Sequence, residues 1–177
     1  MKPDQIIIEA QIAYKQKHYQ VAATTYETAA QIYASTGDEL SAAEMRNNSS
    51  VAFLQANNAQ ASLSAVEGTV QVFAAAGDVR RQALALGNTA AALEALGRLN
   101  ESATTYEESA NLLKQIGETD LRATVMQSLS AVQLRLGHQL EAVVSMQSGL
   151  EEIKRPNATQ KLAKKILNSP LNILRPK

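Results

Sequence analysis

The sequence predicts an all-α solenoid built from four helix-turn-helix repeats and a C-terminal capping helix. Three observations favour this fold class. Residue types recur at a fixed interval of 40 residues without gaps. Apolar residues within each interval follow helical spacing, and valine, isoleucine and threonine do not form the alternating runs typical of strands. Helical hairpins in such an array stack because one hairpin cannot cover its own apolar stripe.

The repeat can be followed in columns, a column being the set of residues at one position of successive repeats. The segment TTYETAA at residues 24–30 returns as TTYEESA at residues 104–110, two intervals later. A Gly-Asp or Gly-Glu pair marks each joint between repeats, beginning at Gly37, Gly77 and Gly117. Two columns hold only small residues, which predicts close contacts between helices: Ala10, Ser50, Ala90 and Ser130, and Ala22, Ser62, Ser102 and Ala142.

Each repeat is predicted to contain two helices joined by a short turn, which falls at Lys17, Asn57, Gly97 and Gly137. In the third repeat, the first helix is predicted over residues 79–96 and the second over residues 99–116. Helices of about 18 residues, each roughly 27 Å long, fill the interval. The second helix of the third repeat carries one apolar stripe, formed by Leu99, Ala103, Tyr106, Ala110 and Leu113.

The second helices resemble the tetratricopeptide repeat (TPR), in which a small residue is followed by an aromatic residue four positions later and another small residue three beyond. The first and third repeats match, at Ala22, Tyr26 and Ala29 and at Ser102, Tyr106 and Ser109. The second and fourth are degenerate, at Ser62, Val66 and Thr69 and at Ala142, Met146 and Gly149. The resemblance covers about residues 4–155 and implies a right-handed α-solenoid. The 40-residue period with Gly-Asp joints looks like the subgroup that includes kinesin light chain, and HEAT or armadillo repeats are the alternative.

The chain departs from the repeat near its C-terminal end, so we expect a solenoid at residues 1–155 and a basic cap with a tail at residues 156–177. Pro156 ends the eighth helix because proline cannot continue it. Residues 158–169 then begin like the first helix of a fifth repeat, as an end cap would. Pro170 ends this helix, and the final LNILRPK is expected to be extended.

The net charge of +0 conceals a division between these two parts. Residues 1–153 contain 10 basic and 17 acidic residues, a net −7, whereas residues 154–177 contain 7 basic and no acidic residues, a net +7. The basic end is interpreted as a solubilising cap, as a segment that docks on the acidic body of the same or a neighbouring molecule, or as a pseudo-ligand of the groove. Contact with an anionic membrane is another alternative. No nucleic acid partner is expected, because the tail lacks aromatic stacking residues and the acidic body would repel phosphate.

No catalytic or metal-binding pattern is found in the sequence, so we expect no enzymatic activity, no cofactor and no metal. The absence of cysteine excludes thiolate zinc sites and cysteine nucleophiles. His18 and His138 occupy one column about three repeats apart and cannot share a metal. Neither a signal peptide nor an apolar run long enough to span a membrane is found, and a cytoplasmic location is expected.

A peptide-binding groove is the candidate functional site. The TPR resemblance implies that first helices line a concave face, with one inward column at Ile8, Asn48, Asn88 and Ser128. Asparagine is disfavoured within helices, and its amide both donates and accepts hydrogen bonds, so a row of amides suits the main chain of an extended peptide. The alternative is structural, an amide bonded to the helix of the neighbouring repeat. The candidate groove residues are Asn48, Asn88, Ser128, Gln11, Asn47, Gln55, Gln127 and Arg135.

We therefore expect a non-catalytic protein-protein interaction scaffold that binds an extended peptide or a partner helix. The groove lacks the Lys/Arg set with which chaperone-binding TPR domains hold a C-terminal carboxylate, since Leu84 and Asn88 occupy those positions. The alternative is a self-assembling structural protein, a homo-oligomer in which the basic C-terminal end docks on an acidic body.

Overall fold

A computed structural model describes residues 3–151, 153 and 158–167, without the side chains of residues 159, 162, 166 and 167. These residues form helices and turns and contain no strand, which confirms the predicted all-α solenoid. Its helices, in chain order, are α1 (Pro3–Lys15), α2 (Tyr19–Ser35), α3 (Glu39–Gln55), α4 (Ala59–Val66), α5 (Thr69–Ala75), α6 (Val79–Ala95), α7 (Leu99–Gln115), α8 (Thr119–Arg135), α9 (Gln139–Glu151) and α10 (Ala158–Leu167).

Left-handed residues divide the chain into helices at a spacing of 20 residues, half the repeat. Each predicted turn and joint adopts a positive φ, between 59° and 83°. Glycine takes this conformation without a steric penalty, but Lys17 and Asn57 adopt it with a Cβ atom, at about 1–2 kcal/mol for an ordinary L-residue. The predicted turn positions are confirmed at Lys17, Gly37, Asn57, Gly77, Gly97, Gly117 and Gly137.

The two small-residue columns meet where the helices of a hairpin cross. Each pair is 12 residues apart and almost completely buried. In three of the four hairpins a serine also donates across the crossing: Ser102 Oγ to Ala90 O at 2.9 Å, Ser130 Oγ to Ala142 O at 2.7 Å, and Ser50 Oγ shares a 2.9 Å hydrogen bond with Ser62 Oγ. Serine suits these positions because it is small enough for a close approach and its buried hydroxyl finds a partner.

Successive repeats are joined by an apolar core between a second helix and the next first helix. In the third joint, Tyr106 and Ala110 of α7 pack against Met126, Leu129 and Val132 of α8. The predicted stripe of α7 lies in this core, and Leu113 is fully buried at its end. Each hairpin thus completes the core of the hairpin before it, as a stacked solenoid requires.

The first helix carries the polar outer face of an end repeat. In α3, Met45, Ser49 and Ala52 face the preceding repeat and are buried. Their counterparts 40 residues earlier in α1 are Gln5, Glu9 and Ile12, all exposed. The polar Gln5 and Glu9 occupy columns that are buried or half-buried in the later repeats, so they limit the apolar surface at this end.

The second helix of the second repeat differs from the prediction. Instead of one helix of about 18 residues, the repeat contains α4 and α5, separated at Glu67 and Gly68. Glu67 has extended backbone angles (φ −56°, ψ 128°) and Gly68 is left-handed (φ +78°). Thr69 is fully buried and donates to Val66 O at 2.8 Å, so a side chain bridges the break. Glycine permits the break, because it is weak in helix interiors and free to adopt a positive φ.

At two of the three joints the aspartate, Asp38 or Asp78, caps the following helix with its side chain, whereas Glu118 makes no such hydrogen bond. Asp78 accepts a hydrogen bond from Arg81 N at 2.8 Å, and its other oxygen pairs with Arg81 Nε at 2.7 Å. Arg81 also reaches Glu44 of α3 at 3.0 Å, so this cap is part of a contact between repeats. The Arg81 backbone N–H, helped by the Arg81 side chain, lowers the pKa of Asp78 below its ordinary value.

We expect the Asp78→Ala variant to lose about 1–2 kcal/mol of unfolding free energy at pH 7, because the cap and its ion pair are removed. A lowered folded-state pKa stabilises the fold above the unfolded-state value, near pH 4 for an aspartate, and this contribution disappears as the pH falls through the folded-state pKa. Urea unfolding from pH 7 to pH 3 should therefore show the variant and the wild type converging. Equal stability at pH 7, or a difference that grows as the pH falls, would contradict the role of this carboxylate.

The C-terminal helix begins where the sequence predicted it, at Ala158, and extends to Leu167. Lys164 Nζ donates to Glu151 O at 3.2 Å, which joins α10 to the end of α9. The other predictions about this end, concerning Pro156, Ser169, Pro170 and the tail LNILRPK, lie outside the described residues. Among the helices that the structure describes, none is both long enough and apolar enough to cross a membrane.

Candidate peptide-binding groove

A pocket of about 220 Å³ lies between the first helices of the third and fourth repeats, α6 and α8. Two of the predicted groove residues, Asn88 and Ser128, line it together. Its surface is mostly apolar, with polar groups contributed by a few side chains. The remaining lining residues are Ala83, Leu84, Gly87, Ala91, Tyr106, Leu121, Thr124 and Val125.

The pocket lies where glycine, at residue 87, takes the position that asparagine holds one repeat earlier. In the joint between the second and third repeats, Asn88 Nδ2 donates to Asn47 Oδ1 at 2.9 Å and the two amides fill the space between α3 and α6. One repeat later the corresponding residues are Gly87 and Ser128. Gly87 offers no side chain to Ser128, so the space stays open between α6 and α8.

Tyr106 of α7 contributes the aromatic ring that lines this pocket. It is 4% exposed, and its hydroxyl donates to Glu94 Oε2 at 3.3 Å. Burial, reinforced by the Glu94 carboxylate, raises the pKa of Tyr106 to about 12. The phenol is therefore protonated at neutral pH and acts as a hydrogen-bond donor. Glu94 in turn pairs with Arg135 of α8 at 3.0 Å, so one carboxylate links α6, α7 and α8.

The structure places the predicted groove residues in three settings. Asn88 and Ser128 line the pocket, Asn47 is bonded to Asn88, and Arg135 is joined to this region through Glu94. Gln127 lines a second cavity of about 500 Å³ with residues of α9 and α10. The others lie on α1 and α3 outside both cavities, where Asn48 is half-buried and Gln11 and Gln55 are exposed.

The asparagine row thus has a structural partner at one position. The bond from Asn88 to Asn47 is the amide contact between neighbouring repeats that the sequence left open as an alternative. Asn88 Oδ1 and Asn47 Nδ2 make no further hydrogen bond within the described part of the chain. The sequence analysis assigned neither Gly87 nor Tyr106 to the site. It placed Tyr106 in the apolar stripe of α7 and gave Gly87 no role. Gly87 could have been found as the one glycine in the column of Ile7, Asn47 and Gln127.

Two further clefts are lined in part by residues of α4. One, of about 430 Å³, is lined in part by Glu67, Gly68 and the Arg98–Glu101 ion pair. The other, of about 410 Å³, contains Glu27 and Arg46. Both are open and mixed in polarity, and the sequence predicted neither; only the first contains residues of the break.

Titratable side chains do not gather into a catalytic or metal-binding cluster in the part of the chain that the structure describes. No group of three His, Cys, Asp or Glu residues there could hold a metal ion. His18 and His138 are exposed in the turns that precede α2 and α9.

Comparison with known proteins gives one match. The family described as "SNAP: Soluble NSF attachment protein" has a model that matches residues 4–169, nearly the whole chain. This match supports a TPR-like helical repeat, and not the narrower kinesin-light-chain-like subgroup suggested by the Gly-Asp joints. No curated protein matches the chain significantly.

Proposed function

We propose that this chain, which belongs to the soluble NSF attachment protein (SNAP) family, is a non-catalytic scaffold that binds an extended peptide or a partner helix along α3, α6 and α8. The family match supports a helical repeat scaffold for protein interactions. The binding face and the absence of catalysis are our proposals. The pocket between α6 and α8, with amides beside it, is the observation that carries the choice of face.

The amides offer a donor and an acceptor to a peptide main chain. Asn88 and Asn47 use one hydrogen-bonding group each on one another, which holds both side chains in place. The remaining groups, Asn88 Oδ1 and Asn47 Nδ2, match a peptide N–H and C=O respectively. Pre-positioned amides reduce the entropy lost on binding, because their rotamers are already ordered.

The pocket itself suits one apolar side chain of that peptide. Its walls include Leu84, Leu121 and Val125, and the Tyr106 hydroxyl is already engaged with Glu94. Arg135 and Glu94 neutralise one another at 3.0 Å, so this region has no strong preference for a charged ligand. An extended segment with an aliphatic or aromatic residue opposite the pocket is the expected ligand class.

The name of the family describes its members as attachment proteins of NSF. An NSF-like protein is accordingly one candidate partner for this chain. The cytoplasmic location stays a prediction from the sequence.

The groove is tested with a displayed library of random linear peptides selected on the wild-type chain. Clones are then measured on the double variant Asn47→Ala with Asn88→Ala, which removes both amides and leaves neither unpaired. We expect roughly a tenfold or greater loss of affinity, since two hydrogen bonds of about 0.5–1.5 kcal/mol each are removed. The control is Thr104→Ala, which changes an exposed residue of α7 whose hydroxyl bonds only to its own helix, at Asn100 O. Clones that bind the double variant as tightly as the wild type would refute the groove.

The charge division favours self-assembly as a second candidate function. Residues 1–153 of one molecule, with a net charge of −7, would attract residues 154–177 of another, with a net charge of +7. At physiological salt this attraction acts within a Debye length of about 8 Å. Light scattering at low and high salt separates the candidates, because an oligomer that dissociates at high salt favours assembly and a monomer at both favours the groove.

A further inference from the structure

Helix α9 exposes an apolar stripe that no described residue covers. Leu140, Val143 and Val144 are 80%, 47% and 65% exposed. Their spacing of three and four residues places them on one face of the helix. We call these three residues the α9 stripe.

The stripe is peculiar to the fourth repeat among the described second helices. The residues in the column of Leu140 are polar and exposed in the other three repeats, as are those in the column of Val144. The column of Val143 is covered elsewhere, since Ala23 is fully buried and Ala103 packs against the core that includes Leu129 and Val132 of α8. The polar counterparts are Gln20, Gln60 and Asn100 in the first column and Thr24, Ser64 and Thr104 in the second.

Helix α10 packs against α9 but leaves the stripe uncovered. This helix lies where the first helix of a fifth repeat would lie. Its Gln160 and Ala163 share a cavity with Ala123, Gln127 and Met146. Ala123, Gln127 and Met146 lie 40 positions after three residues that line the pocket beside α8, namely Ala83, Gly87 and Tyr106. The cavity beside α10 therefore corresponds to the pocket beside α8, one repeat later.

Helix α10 is too short to cover all of α9. It has 10 residues, compared with 17 in α8. Helix α8 ends at Arg135, and the residue 40 positions later is Arg175. Because α10 ends at Leu167, it stops eight residues before the position that corresponds to the end of α8. Lys164 of α10 contacts the C-terminal end of α9 at Glu151, whereas the stripe lies in the N-terminal half of α9. The first helix of the next repeat leaves the columns of Leu140 and Val144 exposed in every other repeat, so apolar residues in these columns point to an occupant other than such a helix.

We propose that residues 168–177 of the same chain bind across α9 and cover this stripe. The segment begins directly after Leu167, the last residue of α10, and Lys164 of that helix contacts α9 at Glu151. Leu140 lies 11 residues from Glu151, about 17 Å along the helix, whereas ten extended residues reach about 33 Å. The tail is therefore long enough to pass the whole stripe even though Pro170 prevents it from continuing the helix.

The chemistry of the segment fits this surface. Leu171 and Ile173 are two residues apart, so an extended backbone directs both to the same side, toward the stripe. Arg175 and Lys177 then follow, and the exposed Glu141 lies on α9 beside the stripe. The body formed by residues 1–153 has a net charge of −7, so it attracts the basic C-terminal end.

A second copy of the chain is a poorer occupant. Stable interfaces bury about 800 Å² and 20–30 residues on each partner, whereas the stripe consists of three residues. A covalently linked segment needs far less contact, because its effective concentration is high. Capture of the tail by the groove would leave the stripe uncovered and is the other outcome that the experiment must detect.

The test uses engineered cysteines, since the chain contains none of its own. Ile173→Cys is combined with Val144→Cys in the stripe, with Ser128→Cys in the groove, or with Val21→Cys as control. Val21 is 57% exposed on α2 and matches Val144 in exposure, but it lies at the opposite end of the stack. A short bismaleimide is added to dilute full-length protein, and the rate of intramolecular cross-linking is followed by mass.

We expect the pair at residues 144 and 173 to cross-link within the monomer on the order of tenfold faster than the control pair. A rate equal to the control, a faster reaction at the Ser128→Cys pair, or dimers joined through Cys at residue 144 would each overturn the proposal. The second result would place the tail in the groove and the third would make the stripe an interface between copies. Circular dichroism of each variant verifies that these surface changes leave the fold intact.

Discussion

We expect the Phe73→Ala variant to lose about 3–5 kcal/mol of unfolding free energy, because it empties a fully buried aromatic position. Phe73 packs with Ala43 of α3 and Ala85 of α6, so it joins three helices of two repeats. Arg81 also lies over its ring, 5.3 Å from the centroid. No other side chain of α5 is both large and fully buried.

The loss should be concentrated in α5. This helix has seven residues, far below the about 12–15 that give an isolated helix marginal stability. The break at Gly68 separates it from α4, so tertiary contacts must hold it in place. Amide hydrogen exchange should show residues 69–75 opening well before the rest of the stack in the variant, as a local event in a repeat protein.

Leu113→Ala is the matched control for this prediction. Leu113 is one period beyond Phe73 and equally buried, but it belongs to the unbroken 17-residue α7. We expect this variant to lose a comparable unfolding free energy, about 2–5 kcal/mol. The amides of α7 should not exchange earlier than those of the rest of the stack. Equal local opening in both variants would show that the break at Gly68 does not make α5 depend on Phe73.

The Gly149→Ala variant should unfold at lower temperature than the wild type, although alanine is the better helix former. A Cβ atom at residue 149 would lie 2.8 Å from Met126 Cβ and 3.4 Å from the backbone of Ala123. Met126 Cβ is fixed by its own backbone and cannot rotate away, so α8 and α9 must separate. An overpacking cost of about 1–3 kcal/mol then exceeds the roughly 1 kcal/mol gained from helix propensity. Thermal unfolding followed by circular dichroism measures the difference.

Gly87→Ala is the control, and it should have the opposite sign. A Cβ at residue 87 meets Ser109 Oγ at 3.6 Å and Val125 Cγ2 at 3.9 Å, which are ordinary contacts. We expect a gain of about 0.5–1 kcal/mol, because only the entropic penalty of the glycine is removed. If both variants shift the unfolding temperature in the same direction, the close approach at Gly149 is not what decides its effect.

Much of the architecture could be predicted because its signals are local and repeated. Glycine and small-residue positions report backbone conformation and helix spacing directly, and four copies reinforce them. The turns at Lys17 and Asn57 were placed by the period alone, since neither residue is a glycine, and both adopt the expected left-handed angles. The serines of the small-residue columns were predicted as packing residues, and their hydroxyls donate across the helix crossings.

The positions of the candidate groove residues could be predicted only in part, and their role in binding stays a proposal. The sequence named Asn88, Ser128 and Asn47, and these residues do lie at the joints of the first helices. It could not tell that Asn88 pairs with Asn47 rather than continuing a row with Asn48, because that depends on the rotation of each helix against its neighbour. The role of Gly87 was equally hidden, since a missing side chain creates a cavity only where two helices leave room for one.

The sequence by itself therefore determined the repeat length, the turns and the small-residue crossings, because each depends on conformational preferences and side-chain size within one repeat. Tertiary structure decided the break at Gly68, the open space at Gly87 and the uncovered stripe on α9. Each of these depends on how neighbouring helices fill, or fail to fill, the volume between them. Residue 68 is threonine, glutamate or serine in the other repeats. Gly68 permits a break in the second repeat, and the buried Thr69 and Phe73 hold α5 against the neighbouring helices beyond it.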